Sequence, residues 1–555
     1  MVAKIGCKAV LIYPEFDTQD TFWSYAKSLA MYAPMGEFGM PKRLLPPLGL
    51  MGLLNYLKPY YDQLLLIDKN IDPRPLTDFI MDADHVFMGG MLAQEQGLLK
   101  CARVVKAAGK VLIVGGTAIT PQSPLLNIAD HAVENEAESI IAELLQGLKK
   151  GTAKPYYKGG IVAPEQFFQP DYAAINMQNY VHMAVQISRG CPEACEFCDI
   201  PARFGKAYRV TPMQQVEKSF RQLHALGWVG QVFVVDDNFI AHPKKALQVL
   251  RDLYQIGENI GYHYPKYTEL TLRLADESPI MAELRHWFHK AHFINGFYGV
   301  ETPNIASLLE TKKRQNLRGE RSLLEKLQFI AKETGSGVML GMIYGFDHDT
   351  NASVQAFIDF VNASNAPIVM AGLLNALPCT PLMTRLQKQG RLVQASSGNN
   401  SDGVINFIPY HVSIQQAEQN YVHILSAIYA PDAYFARVMR HLQLIDPGLQ
   451  SQYRAGHQAG RYVFKILSRN NAHIYWRYLP AAFGIAKQRC GVNTPGYRAL
   501  LAEYFSLCGQ YTHFREQIKV QGEHLRQKAY ATWQQRAWSE QLALSSVSLA
   551  DTEGE

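Results

Sequence analysis

The chain has 555 residues, of which 48% are hydrophobic and 19% are charged, and its formal net charge is +5. A chain of this length can bury several domains' worth of core, and the composition is typical of folded globular proteins. The small charge excess does not argue for a nucleic-acid partner, and the sequence has neither a bilayer-spanning apolar run nor a signal-peptide pattern. We therefore expect a cytoplasmic protein.

Strands and helices alternate over residues 1–150. Buried strands are predicted at 8–14, 63–68, 85–91 and 110–116, and helices at 47–57 and 96–108. This alternation predicts a parallel, doubly wound α/β sheet, in which ligands bind at the carboxyl ends of the strands. The aromatic and methionine-rich segment 17–41 is predicted to be a loop over the sheet, and the alternative is a lid over a bulky apolar ligand.

Two of these strands end in paired glycines. The glycines and the residues that follow them are Gly89, Gly90, Leu92, Gly115, Gly116 and Thr117. Glycines at strand ends allow a ligand to approach the backbone closely, although tight turns also need them. Glu134 and Glu136 then precede a predicted helix at 139–148, where acids favour a helix N-terminus.

Three of the eight cysteines form a C-x3-C-x2-C motif: Cys191, Cys195 and Cys198. A cubane iron-sulfur cluster takes four thiolates, so three would leave one iron with an open position for another ligand. A zinc site would favour a second cysteine pair, which the sequence lacks, and a disulfide needs an oxidising compartment. Three buried structural cysteines are the remaining alternative.

This motif, with Phe197 just before its last cysteine, resembles the signature of the radical S-adenosylmethionine (radical SAM) enzymes. The resemblance implies that S-adenosylmethionine chelates the open iron of a [4Fe-4S] cluster. It also implies that the reduced cluster cleaves this cofactor to a 5'-deoxyadenosyl radical, which abstracts a substrate hydrogen. An external electron donor of the flavodoxin or ferredoxin type is then needed.

Strands alternate with helices again after the cysteines, at 232–240, 267–274, 293–302, 337–346 and 369–378. With the strand that leads into the cysteine motif they make six units over residues 180–391, which match the partial (β/α)6 TIM-type barrel of this family. By the resemblance, the residues that bind S-adenosylmethionine are Phe197, Asp236, Asp237, Asn238, Glu269, Arg273, Glu301 and Tyr344. A helix N-cap could explain one residue of 236–238, and an internal salt bridge could explain Arg273.

Segment 376–382 resembles the motif that closes the barrel in this family, with Cys379 at the position of a glycine. We predict that Cys379 is a small buried apolar residue rather than a reactive thiol.

The strand-end glycines and the segment 129–140 resemble the cobalamin-binding domain of the B12-dependent radical SAM subfamily. The resemblance implies that cobalamin contacts Gly89, Gly90, Leu92, Gly115, Gly116, Thr117, Glu134 and Glu136. The histidine that ligates cobalt from below in the D-x-H-x-x-G motif is absent from residues 46–52, so the lower ligand is not assigned.

Segments 151–179 and 392–412 are predicted to be linkers, 413–544 a helical region and 545–555 a disordered acidic tail. The helical region resembles the extension of hopanoid C-2 methylases and bacteriochlorophyll methylases. Its aromatic and basic helices suit a peripheral membrane surface, such as the inner membrane, or a partner, and a cap over the barrel is the alternative.

The resemblance implies a cobalamin-dependent radical SAM methyltransferase that uses methylcobalamin to methylate an unactivated carbon of a large apolar small molecule, such as an isoprenoid lipid or a tetrapyrrole. One alternative is oxidative cyclisation or rearrangement without methylation, and another is a non-enzymatic cobalamin sensor. The sequence does not predict the oligomeric state.

Overall fold

The computed structural model describes residues 4–16, 43–454 and 472–512, together with 514–515, 518–519 and 522–523. The predicted loop or lid at 17–41 and the predicted tail at 545–555 lie outside the described residues. Within those residues, none of the helices combines the length and the apolar character that crossing a membrane requires.

The first domain is a sheet of six parallel strands with helices on both faces. Its strands are β1 (Gly6–Tyr13), β2 (Tyr61–Asp68), β3 (His85–Gly89), β4 (Val111–Gly115), β5 (His131–Glu134) and β6 (Tyr156–Lys158). Its helices are α1 (Leu48–Leu57), α2 (Thr77–Ile80), α3 (Glu95–Ala107) and α4 (Ile141–Lys150). Separate apolar clusters cover the two faces, as the near-continuous apolar strands predict.

The strand order of this sheet is β2-β1-β3-β4-β5-β6. The order reverses between β1 and β3, and a parallel sheet binds ligands in the crevice that such a reversal opens at the carboxyl ends. The predicted doubly wound sheet is confirmed. One boundary differs, because β6 lies in the predicted linker 151–179 and pairs with β5.

The second domain is an open sheet of six parallel strands with a separate two-stranded hairpin. The strands of the sheet are β7 (Met183–Gln186), β10 (Val232–Val235), β11 (Lys266–Leu270), β12 (Phe293–Glu301), β13 (Gly337–Tyr344) and β14 (Ile368–Leu373), and those of the hairpin are β8 (Ser188–Arg189) and β9 (Arg209–Val210). The strand order in the sheet is β14-β13-β12-β11-β10-β7. Its helices are α5 (Ile200–Arg203), α6 (Met213–Ala225), α7 (Pro243–Ile260), α8 (Pro279–Lys290), α9 (Ile305–Glu310), α10 (Leu323–Thr334), α11 (Asn351–Ala363) and α12 (Pro381–Lys388). The six predicted strand-helix units are confirmed.

The third predicted strand of the barrel is shorter than expected. β11 ends at Leu270, and Arg273 lies in a 3-10 turn, Leu272–Ala275, instead of on the strand.

Helices follow the barrel: α13 (Ile414–Ile428), α14 (Pro431–Leu444), α15 (Pro447–Arg454), α16 (Ala472–Cys490) and α17 (495–512). They share one apolar core with the barrel, and the Tyr429 hydroxyl on this side donates to the Val369 carbonyl at 2.8 Å. The predicted linker 392–412 is also packed, because the Asn406 side chain bonds both backbone groups of Ala376. The helical region is therefore a cap on the barrel within the described residues.

A buried group of ion pairs joins the two domains. The Glu136 carboxylate, after β5, accepts bonds from Arg209 at 2.6 and 2.9 Å, and Arg189 lies 3.5 Å away. Arg189 also pairs with Glu138 at 2.8 Å and stacks over the Phe167 ring. Both arginines lie on the β8-β9 hairpin, so the hairpin is fixed to the carboxyl edge of the first sheet.

Replacing Arg209 tests this interface. Arg209→Met removes the paired cation from the Glu136 carboxylate, whose side chain is 1% exposed, and leaves it the Val162 amide at 2.8 Å and the longer Arg189 contact. We expect the free energy of unfolding, measured by urea denaturation, to fall by about 3–5 kcal/mol. The control Arg221→Met removes an exposed pair with Glu217 and should cost less than about 1 kcal/mol. Equal losses in both variants would contradict a structural role for the buried pair.

Candidate active site

The cysteine motif lies in a loop between β8 and β9. Gly190 opens the loop with φ +92°, and a β-carbon there would lie 2.3 Å from the Ala207 carbonyl, so only glycine fits. The Gly190 amide donates to Asp237 at 2.7 Å and the Cys191 amide donates to the Gly205 carbonyl at 3.2 Å. The hairpin and the end of β10 thus hold the start of the loop.

The three thiols are poorly solvated. Burial raises the pKa of the Cys191 thiol to about 11, and it raises the pKa of Cys195 and Cys198 as well. Thiolates in such surroundings need a nearby positive charge, which a bound iron cluster provides. In the part of the chain that the structure describes, no group of three His, Cys, Asp or Glu side chains could hold a single metal ion. A cubane differs from a single ion, because each thiolate binds a different iron.

Three residues of a second segment, 311–316, form the other wall of the cysteine loop: Thr311, Lys313 and Gln315. The Glu196 amide donates to the Thr311 carbonyl at 2.9 Å, and the Gln315 side chain donates to the Cys195 sulfur at 3.4 Å. Between them, the Lys313 ammonium pairs with Glu301 at 2.6 Å, with both side chains at most a tenth exposed. This segment was not predicted from the sequence, because its residues are all polar and give no apolar periodicity that would indicate their alternating burial.

A cavity of about 170 Å³ opens at the carboxyl ends of the barrel strands beside this loop. Polar side chains form one wall: Asp237, Asn238, Glu269, Glu301 and Lys313. Apolar side chains form another: Phe297, Met342, Ile343 and Met370. Four residues predicted to bind S-adenosylmethionine are therefore brought together. Asn400, which the sequence analysis placed in a linker, also lines the cavity.

Other predicted residues do not line this cavity. Asp236 accepts bonds from the Tyr208 hydroxyl and the Asn238 amide, both at 2.9 Å, so it shapes the turn after β10. Burial raises its pKa to about 7. The helix-capping alternative for 236–238 is not met, because α7 begins at Pro243 with His242 as its N-cap. The Tyr344 hydroxyl points to α13 instead and accepts from Asn420 at 2.8 Å. Phe197 packs edge-on against Phe346.

Arg273, on the 3-10 turn after β11, does not line the cavity either. Its Nε is buried without a hydrogen-bond partner, and burial lowers the pKa of the guanidinium. Glu193 of the cysteine loop and Asp276 contribute to its electrostatic surroundings. The structure records no salt bridge for Arg273 among the described residues, so the salt-bridge alternative is not supported.

Negative groups dominate the polar wall of the cavity. Desolvation by the surrounding protein, together with the nearby Asp237 and Asp236, raises the pKa of Glu269, which faces the cavity, to about 8. Glu301 adopts φ +69°, a strained conformation for a residue with a side chain, at the point where it meets Lys313. Such a wall suits a cationic ligand, because a positive charge would relieve the repulsion among the carboxylates.

The glycines of the first sheet differ in the space around them. A β-carbon on Gly115 would make only ordinary contacts, at 3.8 and 3.9 Å from Val133, so a side chain can be placed there without a clash. On Gly116, which has φ +90°, it would lie 2.5 Å from the Gly90 carbonyl, so the packing of the strand ends requires glycine at 116. On Gly89 it would lie 3.1 Å from Leu50.

The two predicted acids of this domain have protein partners. Glu136 binds Arg209, and Glu134 accepts a hydrogen bond from the Tyr156 hydroxyl and lies 4.0 Å from Lys158. The structure thus differs from the prediction of cobalamin contacts by these side chains, because both carboxylates are engaged within the protein.

Leu92, after β3, is packed against the barrel. A β-carbon on Gly398 would lie 2.5 Å from the Leu92 side chain, so segment 395–403 touches the first domain without intervening space. The same segment carries Asn400 into the cavity. The carboxyl edges of the two sheets therefore meet at this segment.

Cys379 differs from its prediction. It is exposed and adopts φ +67°, so it is not a buried apolar residue. The positive φ explains why a glycine suits this position in the family that the sequence resembles.

The chain matches the radical SAM superfamily over residues 185–361 and a domain of unknown function, DUF4070, over residues 380–527. It is 31% identical to an uncharacterized methyltransferase of Synechocystis sp., over 98% of both chains. It is 29% identical to the hopanoid C-2 methylase of Rhodopseudomonas palustris, over 71% of this chain and 73% of that protein. With the bacteriochlorophyllide d C-12(1)-methyltransferase of Chlorobaculum tepidum it shares 25% identity, over 62% and 74%.

Solved structures share the fold at low identity. The radical S-adenosylmethionine methyltransferase TsrM of Kitasatospora setae, solved with cobalamin and a [4Fe-4S] cluster, matches with a TM-score of 0.53 and 14% identity, over 81% of this chain and 96% of that chain. The cobalamin-dependent S-adenosylmethionine radical enzyme OxsB, solved with aqua-cobalamin and S-adenosylmethionine, matches with a TM-score of 0.55 and 14% identity, over 96% and 81%. With its three-cysteine loop, its six-stranded barrel and these relatives, the chain belongs to the radical SAM superfamily of enzymes, in the branch of the hopanoid C-2 and bacteriochlorophyllide methyltransferases.

Proposed function

We propose that this enzyme is a cobalamin-dependent radical SAM methyltransferase that methylates an unactivated carbon of a large apolar small molecule. The observation that carries the proposal is the meeting of two sites. Asp237 lines a cavity at the carboxyl edge of the barrel and accepts from the Gly190 amide at the start of the cysteine loop, and segment 395–403 joins this edge to the carboxyl edge of the first sheet. Two cofactors bound at these edges would face one substrate.

The residues of the barrel suit an iron-sulfur cluster and S-adenosylmethionine. Cys191, Cys195 and Cys198 would hold three irons of a [4Fe-4S] cluster, which supplies the electron for reductive cleavage of S-adenosylmethionine. Asp237 and Glu269 bind and orient the cationic cofactor from the polar wall. The apolar wall excludes water from the radical that forms there.

The first domain suits cobalamin, which carries the methyl group between S-adenosylmethionine and the substrate. Gly115, where a side chain can be placed without a clash, lies at the carboxyl end of β4, next to the crevice between β1 and β3. TsrM and OxsB, which share this fold, were solved with cobalamin bound, which supports this assignment. The contacts that we propose are with the strand ends, Leu92 and Thr117, since Glu134 and Glu136 have partners within the protein.

The substrate proposal rests on the apolar wall and on the relatives. Phe297, Met342 and Met370 offer no hydrogen-bonding side chain other than a thioether. The names of the relatives give a hopanoid and a bacteriochlorophyllide as what those enzymes methylate. We place the enzyme in the cytoplasm, and contact with a membrane surface would give it access to such substrates.

The deciding experiment follows the methyl group. The protein, reconstituted anaerobically with iron, sulfide and cobalamin, is incubated with a dithionite reductant, methyl-deuterated S-adenosylmethionine and an apolar lipid and pigment extract. We expect about four irons per chain and a product whose mass increases by one labelled methyl group. Cleavage of the cofactor with only oxidised, unmethylated product would overturn methylation and favour oxidative cyclisation or rearrangement.

Variants at two cysteines control this experiment. Cys195→Ala removes one thiol of the loop and should abolish both the iron-sulfur absorbance and the cleavage of S-adenosylmethionine, while cobalamin stays bound. Cys7→Ala removes an exposed thiol at the start of β1 and should behave as the wild type. Retained cleavage in Cys195→Ala would overturn the cluster assignment.

Filling the space at Gly115 tests the cobalamin site. Because the protein itself leaves room for a β-carbon, Gly115→Leu should fold and should obstruct the cofactor alone. We expect cobalamin affinity, measured by absorbance titration, to fall about ten- to hundredfold, with iron content unchanged. The matched control is Gly160→Leu, because an added β-carbon at Gly160 would have no atom within 4 Å. Equal affinity in the two variants would argue against cobalamin at this strand end.

The raised pKa of Glu269 gives a pH test for S-adenosylmethionine binding. With a pKa of about 8, Glu269 is mainly protonated at pH 7 and gains its negative charge as the pH rises. The affinity for this sulfonium cation should therefore increase about five- to tenfold from pH 7 to pH 9, in equilibrium binding measurements on the reconstituted protein. The reference is Glu269→Gln, which removes the Glu269 carboxyl. Any pH dependence that remains in this variant comes from the ionisable groups of S-adenosylmethionine or of other residues. The same pH dependence in both proteins would exclude Glu269 from the site.

A further inference from the structure

Segment 311–321, which we call the basic segment, carries five cationic residues and one acid: Lys312, Lys313, Arg314, Arg318 and Arg321, with Glu320. It is also the segment that touches the cysteine loop. The Thr311 carbonyl accepts from the Glu196 amide, and the Gln315 side chain bonds the Cys195 sulfur. A concentration of positive charge thus lies directly beside the proposed cluster site.

Burial alternates along the first part of this segment. Lys313 and Gln315 point inward, whereas Lys312 and Arg314 are exposed, as is Arg318 further on. Lys313 is neutralised by Glu301, and Arg321 is paired with Glu277. Among the described residues, by contrast, Lys312, Arg314 and Arg318 have no carboxylate within salt-bridge distance. Lys312 and Arg314 therefore extend into solvent with no acidic partner in the described part of the chain, whereas Arg318 interacts at longer range with Asp276.

Exposed apolar side chains precede the basic segment. Ile305 and Leu309, on α9, are 49% and 48% exposed, which is unusual for large apolar residues on a short helix that ends beside a catalytic loop. The neighbouring acid, Glu310, lies 3.4 Å from Arg385, whose side chain also pairs with Glu196 and Asp347. The exposed surface therefore combines an apolar centre with a positive rim at Lys312, Arg314 and Arg318.

We propose that this surface, formed by Ile305, Leu309, Lys312, Arg314 and Arg318, is the docking surface for an acidic one-electron carrier protein. The inference rests on the proposed function, since only an iron-sulfur cluster at the cysteines needs such a carrier. In each encounter one electron passes from the reduced carrier, which is oxidised by one electron, to the oxidised cluster, which is reduced by one electron. Both proteins then separate.

Position, charge and chemistry support this occupant together. Electron transfer between proteins requires a short path. Here Lys312 and Arg314 of the surface are direct sequence neighbours of Thr311 and Gln315, which contact the cysteine loop. Transient redox complexes have small interfaces, and complementary charge accelerates their formation. An apolar centre with a basic rim meets these needs for an acidic carrier. A nucleic acid or an anionic lipid would also be attracted, but its binding would not deliver electrons.

The experiment compares two routes of electron delivery. The reconstituted enzyme cleaves S-adenosylmethionine with either an acidic flavodoxin, kept reduced by its reductase, or dithionite, which is small and does not require docking. The variant Lys312→Glu/Arg314→Glu reverses two charges of the rim. The matched control, Lys149→Glu/Lys150→Glu, reverses two exposed charges at the end of α4 in the first domain.

We expect the rim variant to lower the flavodoxin-driven rate about tenfold at low ionic strength, with the difference shrinking as salt is added. Its dithionite-driven rate and its iron content should equal those of the wild type, and the control should be normal by both routes. The single variant Arg318→Glu lies further along the segment than Gln315, which contacts the cysteine loop. It should give a smaller loss of the flavodoxin-driven rate with the same salt dependence.

Two results would overturn the docking surface. The first is an unchanged flavodoxin-driven rate in both rim variants, which would also be the outcome if the surface binds a nucleic acid or a lipid. The second is an equal loss of the flavodoxin- and dithionite-driven rates, which would assign the effect to the cysteine loop. Failure of the wild type to cleave S-adenosylmethionine with dithionite would instead contradict the proposed function itself.

Discussion

The carboxylate of Glu136 is buried at the boundary between the domains, and the placement of the reactive loop depends on it. A carboxylate without water must be compensated, and Arg209 and Arg189 do so from the two strands of the hairpin that brackets the cysteines. Buried ion pairs add little net stability, but they tolerate few geometries. The contacts of Glu136 with Arg189 and Arg209 therefore fix the position of the cysteine loop relative to the first sheet.

The cavity has a polar wall that suits a charged cofactor and an apolar wall that suits an apolar substrate. Its carboxylates favour a cation, and the cost of burying them appears in the raised pKa of Glu269. Its apolar wall on β12, β13 and β14 suits a substrate and a reaction that must avoid water. Lys313 prevents an excess of negative charge, since it neutralises Glu301 at the point nearest to the cysteines. Polar binding of the cofactor and apolar binding of the substrate can thus coexist.

Local patterns were enough to predict the cysteine loop and the strand alternation, because Cys191, Cys195 and Cys198 are close in sequence and the strands are apolar runs. The four residues of the cavity were predicted from the resemblance to the family, at positions such as Asp237, after β10, and Glu269, near the end of β11. β6 has only three residues and gives no periodic signal. Arg273 was misplaced because an apolar run continues beyond the end of β11 into a turn.

Residues that reach the site over long distances in sequence could not be found in this way. Gln315 meets Cys195 across 120 positions, and Asn400 reaches the cavity from a polar segment whose composition is typical of a linker. Glu134 and Glu136 matched a family pattern, but their partners, Tyr156 and Arg209, are determined by the packing of β6 and of the hairpin. A sequence pattern cannot distinguish a ligand contact from such an internal one.

Segment 395–403 couples the two halves of the molecule mechanically. At Gly398 its backbone is pressed against Leu92 of the first domain, and two residues later the Asn400 carbonyl accepts from the Leu373 amide at the end of β14. Because the segment contacts both domains, a displacement at one contact also displaces the other. A motion that widens the cavity on this side therefore also exposes the carboxyl edge of the first sheet, so that the proposed bulky substrate and the proposed cobalamin site would become accessible together.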